Sequence, residues 1–307
     1  MKKDLLTIMD LTAAEIASIF KLSTELKNNK KKFSKALAGK SLALIFQKPS
    51  NRTRVSFEVG MYQLGGNALY LSPNEINIGV RESIKDVAKT ISRYVDGIVL
   101  RTFEHKNCLD MAASASVPII NGLSDFSHPC QALADLFTVK EKLKDLKKVL
   151  LAYVGDGNNV CNSLLFAAVK CGMSMNVASP KGYAPDEKVI SQARIFAKET
   201  GSRINIFEDP LACVRGAQVV YTDVWASMGQ EEEVNKRKII FKDFQINSKL
   251  LSGADPKVLV MHCLPAHRGE EITDEVLDSK NSIVFDQAEN RMHVQKAILI
   301  KLLKGEK

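Results

Sequence analysis

The chain has 307 residues, of which 45% are apolar and 25% charged, as in an ordinary globular protein, and its length favours two domains over one. No run of about 18 apolar residues is present to span a bilayer, and the charged N-terminus lacks a secretory signal pattern, so we expect a cytoplasmic protein without a membrane partner. The net charge of +8 would suit nucleic acid, but the basic run at residues 30–32 has no interleaved aromatic residues, so we expect no such partner.

Short apolar runs rich in β-branched residues alternate with helical patterns along almost the whole chain, which is typical of parallel βαβ units. Helical spacing is clearest at residues 55–64, at residues 83–95, which open on a capping-box pattern, and at residues 287–303. The fold class predicted is α/β, with two domains that are each a mostly parallel β-sheet flanked by helices. Ten strands are predicted, at residues 42–46, 68–71, 97–100, 118–120, 148–154, 175–178, 203–206, 219–222, 258–261 and 283–285.

The helical stretch at residues 129–147 joins two sets of about four to five strands, and we place the domain boundary within it. The predicted limits are 1–140 for the first domain, 141–286 for the second, and 287–307 for a C-terminal helix that returns to the first.

Polar residues follow the predicted strands at their carboxyl ends, where open parallel sheets bind ligands. Ser50-Asn51-Arg52-Thr53-Arg54 follows the first strand and leads directly into a helix, so free backbone N–H groups, the helix dipole and two guanidinium groups converge there. Phosphate oxygens suit such a turn, because arginine binds them in a bidentate manner. A helix cap with two exposed arginines is an equally good interpretation of so short a pattern.

Two further residues could act on a carbonyl group bound beside that turn. His128 precedes a helix-starting proline and could donate a hydrogen bond to an oxygen that gains negative charge, although a capping histidine is as plausible. Arg101 closes the third strand and could add positive charge, although such an arginine is more often a surface residue.

The second half of the chain carries amide, carboxylate and thiol groups at its strand ends. Residues 154–160 resemble the start of a dinucleotide fingerprint but lack its third glycine, so a nicotinamide cofactor is a minor alternative. Asn159 and Asp223 better suit an amine-bearing ligand, although Asp223 alone would be taken for a surface carboxylate. Cys263 could lie at the floor of a cleft, but His262 should point to the opposite side, which disfavours a nucleophilic Cys–His pair.

The six cysteines and five histidines are dispersed, with neither a C-x-x-C nor an H-E-x-x-H pattern. Dispersed cysteines in a chain of this size fit a reducing compartment. The absence of both patterns gives metal catalysis little support.

Together these segments closely resemble the aspartate/ornithine carbamoyltransferase family along essentially the whole chain. The resemblance is carried by four segments in family order: FQKPSNRTRVSFE at residues 46–58, HPCQ at 128–131 with ADLFT at 134–138, DVW at 223–225 with SMG at 227–229, and HCLP at 262–265.

The resemblance implies transfer of a carbamoyl group from carbamoyl phosphate to the δ-amine of ornithine, without a metal or an organic cofactor. Arg101, His128 and Cys263 are the implied catalytic residues. It also implies a homotrimer or an assembly of trimers. The implied carbamoyl-phosphate ligands are Ser50, Asn51, Arg52, Thr53, Asn77, Arg101, His128, Gln131, Cys263, Leu264 and Arg291, and the implied ornithine ligands are Asn159, Asp223, Ser227 and Met228.

Two residues depart from the family pattern, since Asn51 replaces the usual Thr and Asn77 the usual Gln of a segment that reaches a neighbouring subunit. Both keep hydrogen-bonding capacity, but Asn77 is shorter by a methylene. Aspartate as acceptor is disfavoured, because the aspartate-using relatives lack the Ser-Met-Gly loop and the Cys beside Leu-Pro. Putrescine as acceptor and a non-catalytic anion-binding protein remain the alternatives.

Overall fold

The computed structural model describes residues 3–76, 78, 79, 81–226 and 233–304. The chain forms two compact units, the first of residues 1–134 and 289–307 and the second of residues 135–288. Within the described part of the chain, no helix is both long and apolar enough to cross a membrane.

The first unit is built on a four-stranded parallel sheet with the strand order β2-β1-β3-β4. Its strands are β1 (Ser41–Phe46), β2 (Asn67–Leu71), β3 (Gly97–Arg101) and β4 (Ile119–Leu123). Its helices are α1 (Ala13–Asn28), α2 (Asn51–Gln63), α3 (Pro73–Ile76), α4 (Ile84–Ile91) and α5 (His105–Ser114), together with the first part of α6 (Pro129–Leu143) and most of α13 (Val284–Leu303).

The second unit is built on a five-stranded parallel sheet with the order β7-β6-β5-β8-β9. Its strands are β5 (Leu150–Val154), β6 (Ser174–Ala178), β7 (Ile204–Phe207), β8 (Val219–Thr222) and β9 (Leu259–His262). Its remaining helices are α7 (Asn159–Lys170), α8 (Glu187–Thr200), α9 (Pro210–Val214), α10 (Val234–Ile240), α11 (Ser248–Leu251) and α12 (Asp274–Leu277).

The hydrophobic core of each unit is formed around its central strands. Their side chains are almost all apolar, as expected of parallel strands covered on both faces. In the first unit, Ala43 and Ile45 of β1 share a buried cluster with Ile98 of β3 and Val87 of α4. The edge strand β2 is partly exposed.

A second cluster fills the core of the other unit. Val154, Val220 and Val260, from three neighbouring strands, pack there with Trp225 and Phe241. The ends of β5, β8 and β9 are thereby fixed relative to one another.

The predicted fold class is confirmed, and nine of the ten predicted strands are present. The strand predicted at residues 283–285 is wrong, because helix α13 already begins at Val284. Only Ser282, one residue earlier, bridges to Val260. A three-residue apolar run carries too little periodicity to separate a strand from the first turn of a buried helix.

Candidate active site

Both sheets have a topological switch point, where the chain changes the side on which it adds strands. In the first unit it lies between β1 and β3, and in the second between β5 and β8. Ligands of open α/β sheets bind outside the carboxyl ends of the strands at such points. The turn at Ser50 and Arg101 flank the first switch point, and Asn158 and Asp223 follow the strands of the second.

The turn after β1 is an N-terminal cap of α2. Ser50 has extended backbone angles, and its hydroxyl oxygen accepts a hydrogen bond from the Thr53 N–H at 3.3 Å. The same hydroxyl donates to the Thr53 Oγ1 at 3.1 Å. The cap explanation weighed from sequence is therefore correct, and it does not exclude an anion site, because a helix N-terminus still presents free N–H groups and the positive end of its dipole.

The two arginines of this turn have different surroundings. Arg52 is half-buried and close enough to His128 to lower the pKa of its imidazole. Arg54 instead pairs with Glu58 at 3.0 Å and stacks on the Tyr70 ring at 3.9 Å. The expectation that both guanidinium groups converge on one anion is therefore wrong for Arg54, because its partners hold it along the surface of α2.

Arg291 of α13 supplies a second guanidinium group at this turn. It is 4% exposed, and its Nη2 donates to the Thr53 Oγ1 at 2.9 Å. Because Thr53 is fully buried, this bond links α13 to the first turn of α2 inside the first unit.

Arg101, His128 and Gln131 are all buried in the same unit. The pKa of His128 lies well below its usual range, first because the ring is buried and then because Arg291, Arg101 and Arg52 face it. Its imidazole is therefore neutral near neutral pH and can donate one N–H to an oxygen. The structure thus brings five predicted residues, Thr53, Arg101, His128, Arg52 and Arg291, into one electrostatic neighbourhood.

In the second unit a hydrogen-bonded cluster is centred on Asp223, which is 6% exposed. Its Oδ1 accepts from the Cys263 thiol at 2.9 Å and from the Val224 N–H at 2.8 Å, and its Oδ2 accepts from the Asn158 Nδ2 at 2.8 Å. Asp223 is thus not the surface carboxylate of the simplest sequence interpretation. A carboxylate held in this way is suited to a cationic or amine-bearing ligand.

Asn158 is the residue that the sequence interpretation missed. Its Oδ1 caps α7 by accepting from the N–H groups of Val160 and Cys161, while its Nδ2 reaches Asp223. An asparagine directly before a helix is a cap signal that could have identified it. The neighbouring Asn159, which was predicted, is half-buried as the first residue of α7.

His262 bonds residues outside the Asp223 cluster through both of its ring nitrogens. Its Nε2 lies 3.0 Å from the Glu271 Oε1, and its Nδ1 accepts from the Leu264 N–H at 2.8 Å. Because Nδ1 accepts, the proton of the neutral ring lies on Nε2 and is donated to the carboxylate. Leu264, whose N–H donates to this ring, has a φ of 58°, which is uncommon for a residue with a side chain.

Two groups of described residues offer ligand atoms close enough together for a metal ion, namely Asp223 with His262 and Cys263, and His267 with Glu270 and Glu271. The expectation that no metal or cofactor takes part therefore stays a prediction. Asn77, Ser227 and Met228 lie outside the described residues.

Two family profiles match the chain nearly end to end. The carbamoyl-phosphate-binding domain of aspartate/ornithine carbamoyltransferases matches residues 3–141, and the aspartate/ornithine-binding domain matches residues 147–302. The chain therefore belongs to the aspartate/ornithine carbamoyltransferase family.

Relatives within this family are similar over their full length. Ornithine carbamoyltransferase of Thermococcus kodakarensis is 53% identical over 307 residues, which cover 99% of this chain and 98% of the relative. The anabolic ornithine carbamoyltransferase of Pyrococcus furiosus is also 53% identical, with the same coverage. The solved structure of the Pyrococcus furiosus enzyme superposes with a TM-score of 0.96 over 99% of this chain and 98% of that one.

Proposed function

We propose that this protein transfers the carbamoyl group of carbamoyl phosphate to the δ-amine of L-ornithine and forms L-citrulline and phosphate, in the biosynthetic direction. The observation that carries the proposal is the neutral, buried His128 surrounded by Arg52, Arg101 and Arg291 beside the N-terminus of α2. Such a site supplies positive charge and N–H groups that bind phosphate, and it supplies hydrogen-bond donors for a carbonyl oxygen.

On this proposal the first unit binds carbamoyl phosphate. Ser50, Asn51, Arg52 and Thr53 hold the phosphate, and Gln131 and Arg291 contact the carbamoyl end. Asn77, Cys263 and Leu264 complete the set of carbamoyl-phosphate ligands that the family resemblance implies.

The chemistry needs only a new C–N bond and a broken C–O bond. The neutral δ-amine attacks the carbamoyl carbon, and Arg101, His128 and Thr53 stabilise the negative charge that develops on the carbonyl oxygen. Phosphate leaves with the electron pair of the broken bond, and the attacking nitrogen loses a proton. Positioning of the two substrates supplies a large part of the rate.

The second unit binds ornithine on this proposal. Asp223 and Asn159 recognise its amino groups, together with Ser227 and Met228. The bond that the Cys263 thiol donates to Asp223 supports a role for both groups beside the attacking amine.

We further propose that the protein is a homotrimer or an assembly of trimers in the cytoplasm. Three apolar side chains of α2 support self-association, since Val55, Val59 and Tyr62 recur at helical spacing and are 55%, 37% and 81% exposed. A second copy of the chain is the occupant that we assign to this stripe. The domain limits of 1–140, 141–286 and 287–307 remain part of the same proposal.

A steady-state assay with two amines tests the acceptor. With carbamoyl phosphate in excess, L-ornithine should give citrulline at a far higher kcat/KM than putrescine gives carbamoylputrescine. Equal or better turnover of putrescine would overturn the choice of acceptor. Binding of carbamoyl phosphate with no product from either amine would point instead to an anion-binding protein.

A further inference from the structure

A buried arginine of the second unit joins three separate segments of the chain. Arg237, on α10, is 6% exposed. Its Nη1 lies 3.0 Å from the Asp156 Oδ2 and donates to the Trp225 carbonyl oxygen at 2.9 Å, while its Nε donates to the Glu233 Oε2 at 2.9 Å. The guanidinium group also lies 4.9 Å from the centroid of the Tyr183 ring.

Two of these segments are the strand-end loops that carry the Asp223 cluster. Asp156 stands two residues before Asn158, and the Asn158 N–H donates to the Asp156 carbonyl oxygen at 2.7 Å. Trp225 stands two residues after Asp223. Arg237 therefore holds the loops after β5 and β8 together. The bond from Asn158 to Asp223 joins the same two loops.

The ion pair of Arg237 and Asp156 is buried. A buried charge that loses its partner is strongly destabilising, so separation of the two segments would cost much free energy. The pKa of Asp156 is raised to about 6, chiefly by burial and to a lesser degree by Asp223 and Glu233, although Arg237 opposes the rise. Tyr153 and Cys161 also face Asp156, but burial raises both of their pKa values, so they stay neutral.

We propose that Arg237 is a positioning residue for the amine substrate, which holds the loops after β5 and β8 in the register that the Asn158–Asp223 pair needs. It touches neither substrate. The inference rests on the proposed function, because it takes the Asp223 cluster as the ornithine site.

The direct test separates the two substrates kinetically. In Arg237→Gln the KM for ornithine should rise by at least about tenfold. The KM for carbamoyl phosphate should stay within about twofold, because most of its proposed ligands lie on the first unit and Arg237 bonds none of them. Arg237→Lys keeps the charge but not the fork of donors, so its KM for ornithine should lie between those of the wild type and of Arg237→Gln.

Arg268→Gln is the matched control. Arg268 also bonds two carboxylates of the second unit, Asp274 and Asp278, but it is exposed and does not join the loops after β5 and β8. Its KM values should stay within about twofold of the wild type, as expected for a surface pair.

A second measurement uses L-norvaline, which has the α-amino acid head of ornithine and no δ-amine to titrate. In the wild type with carbamoyl phosphate bound, the dissociation constant for norvaline should rise as pH falls from about 7.5 to about 5, because protonated Asp156 no longer pairs with Arg237. Asp156→Asn should bind norvaline more weakly and show no such rise. This readout needs no Arg237 variant, so it decides the matter if Arg237→Gln does not fold.

The outcomes separate the two proposals. Citrulline formation by the wild type with unchanged ornithine KM in Arg237→Gln would overturn this inference alone. Equal losses for both substrates, or a norvaline affinity in the wild type that is flat with pH, would also overturn it and leave Arg237 as a structural residue. A wild type without citrulline formation would instead overturn the proposed function.

Discussion

At the scale of single residues, neighbouring side chains of one turn have divided roles. Arg52 faces His128, whereas Arg54 is held by Glu58 and Tyr70. The sequence places the two arginines together, and only the partners in the fold separate them. A comparison of the two residues therefore isolates phosphate binding from the general loss of a charge.

Arg52→Ala should lower kcat/KM for carbamoyl phosphate by about 100-fold or more, because on the proposed function it removes a charge-assisted contact with the leaving phosphate. Arg54→Ala should change it by less than about threefold, because it removes a surface pair. Steady-state kinetics and calorimetric binding of carbamoyl phosphate check both. Full affinity in Arg52→Ala would show that the turn is only a helix cap.

His128 has a consequence for the pH dependence of the rate. Because its pKa is lowered by burial and by three arginines, its imidazole is already neutral across the working range and its titration should not appear there. The rate at low ornithine should instead rise with pH from about 6 to about 9, as the δ-amine loses its proton. His128→Gln should lower kcat and keep the same slope. A rate in the wild type that is flat over this range contradicts the prediction.

At the scale of elements, α13 ties buried polar groups of the first unit together. Lys296 is 1% exposed and donates to the Gln63 Oε1 on α2 at 2.8 Å. Burial lowers its pKa to about 8, with a smaller effect from Lys30. Since the unfolded chain binds this proton up to a higher pH than the folded chain does, stability should rise as pH increases from about 8 toward about 10.5.

Lys296→Met should therefore raise the free energy of unfolding near pH 7 by roughly 1–3 kcal/mol and remove most of the rise between about pH 8 and 10. Lys301→Met, on the same helix, should do neither. Urea unfolding at a series of pH values measures both. Destabilisation of Lys296→Met at neutral pH would show that the bond to Gln63 outweighs the cost of the buried charge.

The exposed stripe of α2 predicts a second result at this scale. Val59→Glu places a charge in the middle of the stripe and should shift the assembly toward monomers, with loss of activity if Asn77 serves a neighbouring site. Ile195→Glu, at a more exposed position on α8, should not change the mass. Light scattering at several protein concentrations distinguishes them. A Val59→Glu protein of unchanged mass would refute self-association through α2.

At the scale of the whole molecule, the local features could be predicted from sequence and the long-range pairs could not. The apolar runs of β1 and β3 and the capped turn at Ser50 are each formed by contiguous residues, so a local sequence pattern predicts them. The bond between Arg291 and Thr53 and the pair of Arg237 with Asp156 join residues far apart in the chain, so no local pattern identifies them. The family resemblance named Arg291 and Thr53, but it left Asn158 and Arg237 unassigned.

The wrong prediction of a strand at residues 283–285 has a local cause. Its apolar side chains indicate burial, but burial alone does not distinguish a strand from a helix start. The predicted domain limits and the roles of Asn77, Ser227 and Met228 stay predictions.

The proposed function depends most directly on one steady-state assay. Purified protein with carbamoyl phosphate and L-ornithine should release phosphate and citrulline in equal amounts, with saturation by both substrates and a clear preference for ornithine over putrescine. Phosphate released without citrulline, or carbamoylputrescine formed as readily as citrulline, would contradict the proposal.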